Sequence, residues 1–230
     1  MSSECYSMRK KYKINLPGCG GMYPYVYGIC GALQDYVNVN DLCFTTISGS
    51  TPGVSTILFK APAKASLASF ESKKQSLLDK SSFMIYLNGE FIRMAKEHNI
   101  ELAQRYSTEK DKLYAMKYHK IMVVHTKTNT RMMKSDFTNF EDYVNSCCAS
   151  CSFVELEENG PFIDGCMIGS QPDISYFGDR LKIPLTHMNR FEKLYYIIMG
   201  LFTCKVWDTL FERGYKDAEE HLISSIREHI

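Results

Sequence analysis

Three cysteines within five residues, Cys147, Cys148 and Cys151, form the first grouping in this sequence with a chemistry of its own. A Cys-x-x-Cys pair holds a metal when a second pair of ligands completes the shell, or does redox work in a thioredoxin-like setting. Neither companion is evident, and the six histidines show no H-E-x-x-H or paired spacing. No metal or cofactor is therefore expected, and the cysteines read as small packing residues. The second grouping is one of backbone. Gly18-Cys19-Gly20-Gly21 and Gly49-Ser50-Thr51-Pro52-Gly53 each follow a short extended run. Glycines at such a turn let backbone N–H groups approach a ligand; the plainer alternative is a tight strand-to-helix turn with no ligand.

The elements that carry these turns have the grammar of β-α-β units. Lys13 to Leu16 is a strand, Pro17 to Gly21 a turn, and Tyr25 to Val37 a helix by its apolar spacing. A strand at Leu42 to Ser48, a turn at Gly49 to Gly53 and a helical run towards Phe59 repeat the pattern. Ala61 to Lys80 and Phe83 to Tyr106 predict surface helices, the latter with a weak point at Asn88-Gly89. Lys120 to His125 and Arg131 to Ser135 predict a hairpin, and Asn139 caps a helix to Ala149. Two amphipathic helices, Arg190 to Glu212 and Lys216 to Arg227, are expected to break at Gly214. The stripe of Phe191, Leu194, Tyr195, Ile198, Leu201 and Phe202 reads as core, with a lipid or partner groove as the minor alternative.

Three segments, in order, resemble the signature of the patatin-like phospholipase family. Leu16-Pro17-Gly18-Cys19-Gly20-Gly21-Met22-Tyr23-Pro24 through Leu33 is similar to its glycine-rich loop and first helix, Ile47-Ser48-Gly49-Ser50-Thr51-Pro52-Gly53 to its strand end, nucleophile elbow and helix start, and Pro161-Phe162-Ile163-Asp164-Gly165-Cys166 through Pro172 to the segment carrying its aspartate. Weaker echoes lie at Ala149 to Ser152 and Gly214 to Ala218. The resemblance implies a three-layer α/β/α fold with a mostly parallel sheet, spanning residues 13–230 as one domain after an N-terminal extension of residues 1–12. It also implies a hydroxyl–carboxylate dyad that cleaves lipid esters through an acyl-enzyme. A hydroxyl is a weak nucleophile until a base takes its proton, and loop N–H groups stabilise the oxyanion. By position Thr51 is the nucleophile, Asp164 the base, and Gly18, Cys19, Gly20 and Gly21 the oxyanion loop, with Gly49, Ser50, Pro52 and Gly53 around the elbow.

The departures point towards lost activity. Threonine is β-branched and resists the strained backbone of an elbow. Pro52 carries no N–H for an oxyanion. Ser50 is a true serine, but neighbours at a strand end point oppositely, which aims it away from Asp164. Met22 and Tyr23 stand where the family has a basic residue and a glycine, Cys19 and Cys166 replace glycines, and Ser170 replaces an asparagine. The expectation is a diverged member with a degraded dyad, weakly active or inactive, that binds lipid or regulates. The alternative is an active acyl hydrolase of phospholipase A type using Thr51 and Asp164.

Composition narrows the field further. With Lys plus Arg at 27 and Asp plus Glu at 26, no basic excess exists for nucleic acid. Nine cysteines, an odd number, suit free thiols in a reducing compartment. The polar, basic stretch from Met1 to Lys13 lacks the apolar run of a signal peptide, and Leu194 to Phe202 is too short to span a bilayer. A soluble intracellular protein, cytoplasmic and touching a lipid or membrane surface only at its periphery, is expected.

Overall fold

Alternating apolar residues make Tyr12–Leu16 (β1) and Leu42–Ile47 (β2) a parallel pair, with Ile14 opposite Phe44. Both strands bury their alternating side chains, and Tyr23–Tyr36 (α1) crosses between them over a face rich in buried aromatics. The computed structural model describes residues 12–79, 84–167 and 188–227. The N-terminal extension, apart from its last residue, and Ile168 to Pro172, including Ser170, lie outside the described residues.

After β2 come helices Thr51–Leu58 (α2), Ala63–Leu78 (α3), Met84–Leu87 (α4), Glu90–Tyr106 (α5) and Glu109–Tyr118 (α6). The break between α4 and α5 falls at Asn88-Gly89, where Gly89 takes φ 78°. Strand His119–His125 (β3) then pairs in parallel with β2, Phe44 opposite His119 and Ile47 opposite Met122. A tight turn with Asn129 at φ 52° returns the chain as Thr130–Lys134 (β4), antiparallel to β3. Phe140–Ala149 (α7) starts where the Asn139 side chain accepts the Asp142 N–H, and the chain re-enters the sheet at Phe162–Asp164 (β5), antiparallel to β3.

The protein is therefore α/β with a mixed five-stranded sheet. The mostly parallel sheet expected from the sequence is not what forms: two strand pairings are parallel and two antiparallel among the described residues. The hairpin turn between β3 and β4 permits only antiparallel pairing, and β5 is too short to announce itself by periodicity.

Helices Arg190–Phe202 (α8), Trp207–Asp217 (α9) and Ser224–Arg227 (α10) finish the chain, with a π-helical stretch at Ala218–Ile223 joining the last two. The helix break expected at Gly214 lies instead at Thr203, whose backbone is extended. Gly214 is inside α9 because α9 rests directly on α1. A Cβ at Gly214 would overlap the Tyr25 carbonyl, and one at Gly28 would overlap that of Phe211. Of the predicted apolar stripe on α8, Leu201 is partly buried, while Phe191, Leu194, Tyr195, Ile198 and Phe202 are exposed. No helix among the described residues is long and apolar enough to cross a membrane.

Candidate active site at the end of β2

The sheet itself brings a serine and an aspartate together. Strand β4 covers one edge of β3, so β5 must use the other, the edge that β2 occupies and then leaves. Ile47 stands opposite Met122, and Asp164 stands opposite the next residue, Val123. The residue after Ile47 is Ser48, and its Oγ donates a hydrogen bond of 2.5 Å to Asp164 Oδ2.

Ser48 has φ 55°. A non-glycine residue in the left-handed region is uncommon and costs on the order of 1 to 3 kcal/mol, a strain that persists only where surrounding structure imposes it. The restraints here are visible. The Ser48 N–H donates to Ser150 Oγ at 2.9 Å, and the Cys151 thiol donates to the Ser48 carbonyl at 3.0 Å. A sharp strand–serine–helix turn of this kind is what a nucleophile elbow consists of.

Asp164 is almost wholly buried. Burial pushes its carboxyl up to about 6, against the opposing pull of the Ser48 hydroxyl and of the Cys166 N–H, which donates to Oδ1 at 2.8 Å. The Asp164 N–H is itself fixed by the Ser152 carbonyl. Near neutral pH the group is an ionised carboxylate with raised basicity, already in contact with a hydroxyl.

The glycine-rich loop folds over this pair. Gly20 takes φ 51°. A Cβ on Gly49 would come within 2.5 Å of the Gly20 carbonyl oxygen and 3.2 Å of the Gly20 nitrogen. A Cβ on Gly18 would meet Cys166 Sγ at 2.5 Å and Ser48 Cβ at 3.4 Å. Glycine at 18 and 49 is thus what permits the loop to lie on the elbow. Cys19 is buried beside Gly49, its thiol held protonated by burial.

Gly20, Ser48, Gly49 and Asp164, with Pro52 and Cys151, help line a narrow cleft of about 40 Å³. Its walls are apolar and aromatic, among them Tyr23, Phe70, Tyr86, Phe91 and Leu201. Tyr23 OH is buried and finds no hydrogen-bond partner among the described residues.

The sequence assigned the nucleophile position to Thr51, and the structure puts Thr51 elsewhere. It is the first residue of α2, at φ −64° and ψ −45°, and among the described residues no hydrogen bond joins it to Asp164. Its Oγ1 lies 3.0 Å from Thr46 Oγ1 and donates to Ser150 Oγ at 3.4 Å. Pro52 follows in the first turn of α2, where a missing N–H leaves no helical bond unmade. Gly53 packs against Val26 and Tyr27. Ser50 also turns from Asp164: its hydroxyl lies 3.0 Å from the Leu16 carbonyl and 2.8 Å from the Ile47 carbonyl, and it accepts the Ile47 N–H, tying the turn to β1.

The strained turn is therefore three residues earlier than the glycine spacing suggests. Thr46 and Ser50 stand two before and two after Ser48, where the G-x-S-x-G pattern has its glycines. The pattern was drawn instead to Gly49 and Gly53. A usable signal for the turn was present nonetheless: an elbow turns directly after the last strand residue, and Ser48 occupies that place at the end of an unbroken β-branched run, Thr45-Thr46-Ile47.

The expected cysteine packing takes this form: Cys147 and Cys148 are buried in α7, while Cys151 lies beside Ser48. No family model matches the chain, and neither does any curated protein.

Proposed function

We propose that this protein is a serine acyl hydrolase of the patatin-like kind, acting on esters with apolar acyl groups, with Ser48 as nucleophile and Asp164 as base. The observation that carries the reading is the strained Ser48, φ 55°, hydrogen-bonded at 2.5 Å to a buried, raised-pKa carboxylate.

In the first half-reaction Asp164 takes the Ser48 proton as Oγ attacks the ester carbonyl carbon. Negative charge passes to the carbonyl oxygen, beside the backbone of Gly20 and Gly49. Gly49, the residue after the nucleophile, has the N–H that Pro52 lacks, so the objection raised by proline does not apply to an elbow at Ser48. Collapse breaks the ester C–O bond and the departing alkoxide takes the proton from Asp164. In the second half a water gives a proton to Asp164 and attacks the acyl-serine carbon. Ser48 Oγ recovers the proton as it leaves, and the carboxylic acid is released.

Aromatic and aliphatic cleft walls favour an acyl chain over a polar substrate. A lipid surface as partner is supported by α8, which supplies Leu201 to the cleft and leaves Phe191, 83% exposed, with Leu194, Tyr195 and Ile198 on its outside. The three-layer α/β/α arrangement belongs to the same reading, supported by the β-α-β crossover over β1 and β2 and by the convergence of loop, elbow and aspartate.

The test is hydrolysis of p-nitrophenyl butyrate and of phosphatidylcholine in mixed micelles, beside labelling by a fluorophosphonate and mapping of the labelled peptide. Turnover with label on Ser48, lost in Ser48→Ala, is expected. Label on Thr51, or a native chain that neither turns over nor labels, would overturn the assignment and return the protein to lipid binding without chemistry.

A further inference from the structure

Behind the elbow runs a line of buried polar side chains that the reaction does not touch. Ser150 Oγ donates to the Met122 carbonyl at 2.8 Å and accepts both the Ser48 N–H and the Thr51 hydroxyl. Thr51 Oγ1 lies 3.0 Å from Thr46 Oγ1, Thr46 Oγ1 lies 2.7 Å from His119 Nε2, and His119 Nδ1 lies 2.8 Å from Tyr143 OH. Thr46, Thr51, His119, Tyr143 and Ser150 are all fully buried.

Each hydroxyl has one proton, and with the Thr51–Ser150 contact at 3.4 Å taken as a bond the direction of every other follows. The Met122 carbonyl can only accept, so the Ser150 proton is committed there. Ser150 therefore accepts from Thr51, which uses the Thr51 proton. Thr46 must then donate to Thr51, which leaves it only lone pairs for His119. The imidazole consequently carries its proton on Nε2 and accepts the Tyr143 proton at Nδ1. Burial, which pushes the His119 pKa down to about 3, keeps the ring neutral as this order requires.

We propose that His119, Thr46, Thr51 and Ser150 form a directed hydrogen-bond chain that holds the Ser48 backbone in its strained conformation, making them positioning residues for the nucleophile. The inference rests on the Ser48–Asp164 reading for its catalytic consequence, though the chain is testable without it. It also accounts for the departure from the glycine pattern: Thr46, in the place of the first glycine, is the link between the elbow and the sheet interior. An elbow with glycines relies on backbone freedom; here side-chain bonds impose the geometry.

The experiment combines Thr51→Val, which keeps the shape and deletes the hydroxyl, with Thr51→Ser, which keeps the hydroxyl. For the full chain, kcat and KM on p-nitrophenyl butyrate are measured. The His119 tautomer is read from long-range ¹H–¹⁵N spectra, assigned with a His119→Gln variant. The native ring is expected as the Nε2–H form. In Thr51→Val the Thr46 proton is released to His119 Nε2, and the ring switches to the Nδ1–H form. Thr51→Val is expected to lose about 10- to 100-fold in kcat with KM little changed, a loss typical of a slightly misplaced reacting group, and Thr51→Ser to recover most of it. A native Nδ1–H ring, or Thr51→Val with native kcat, would overturn the chain. Should the native protein show no turnover, the tautomer and its switch in Thr51→Val still decide whether the chain exists.

Discussion

Lys74 Nζ donates a hydrogen bond of 2.5 Å to the carbonyl of Gly200, the residue whose lack of a side chain lets α8 rest on Gly21 of the glycine-rich loop. The ammonium is fully buried on α3 and lies 4.7 Å from the centre of the Trp207 ring, with Tyr23 and Phe91 also near. A buried lysine with a carbonyl and ring faces for company is costly to ionise. It holds α8, and with it the Leu201 wall of the cleft, against the loop.

Burial lowers the Lys74 pKa to about 7 from an ordinary 10.5. Between those values the unfolded chain holds a proton that the folded chain has lost, so this group makes stability rise as pH increases through that window. Melting temperatures of the native protein are expected to gain more from pH 7 to pH 9 than those of Lys74→Met. Parallel pH dependences in the two would refute the lowered pKa.

With Asp164 as the proposed base, the acid limb of any esterase activity follows its ionisation. A base must be ionised, so kcat/KM on a neutral ester is expected to rise with pH through an apparent pKa near 6, above the ordinary carboxylate value of 3.8. A limb near 4 would mean that the carboxylate is better solvated than its burial indicates.

The same carboxylate is a liability to the fold. Between pH 3.8 and about 6 the folded chain holds a proton that the unfolded chain has released, so stability from this group falls as pH rises. Asp164→Asn is expected to abolish turnover and to melt above the native protein at pH 8, with the gap closing towards pH 4. Differential scanning calorimetry at the two pH values measures it.

Tyr23 carries a buried hydroxyl without a partner among the described residues. Leaving such a group unsatisfied costs about 1 to 3 kcal/mol. Tyr23→Phe removes the hydroxyl and keeps the ring against Phe70 and Trp207. Urea unfolding should show the variant more stable by about 1 kcal/mol; a loss of stability would mean the hydroxyl has a partner.

Gly214→Ala pits helix propensity against packing. Alanine is better than glycine in a helix interior by about 1 kcal/mol, but its Cβ would overlap the Tyr25 carbonyl on α1. Rigid backbone cannot yield as a side-chain tip does, and overpacking costs typically about 1 to 3 kcal/mol, occasionally more. A net loss of about 2 kcal/mol in urea unfolding is expected, and a gain would show that α1 and α9 can separate.

Local pattern was enough for β1, β2, the β3–β4 hairpin, α1 and the Asn139-capped α7, because each is written in its own residues. It failed where distant chain decides. Gly214 reads as a helix stop until α1 is known to lie against it. The three residues of β5 have no periodicity to read, and their position depends on β2 leaving the β3 edge at Ile47. The three segments that meet at Ser48 and Asp164 were each legible, whereas which hydroxyl reaches Asp164 was not. Glycine spacing pointed to Thr51, whose hydroxyl lies against Thr46 and Ser150 instead, contacts that depend on where distant chain packs.

The proposed chain makes its members depend on one another. Replacing Thr46 with glycine would leave the His119 Nε2–H without an acceptor in a sealed interior, and deprive Thr51 of a donor. Each member of the chain makes its neighbour hard to replace, so the order in which changes could be accepted is constrained. A change at one of them that removes a hydroxyl or the imidazole leaves a buried partner to be satisfied elsewhere.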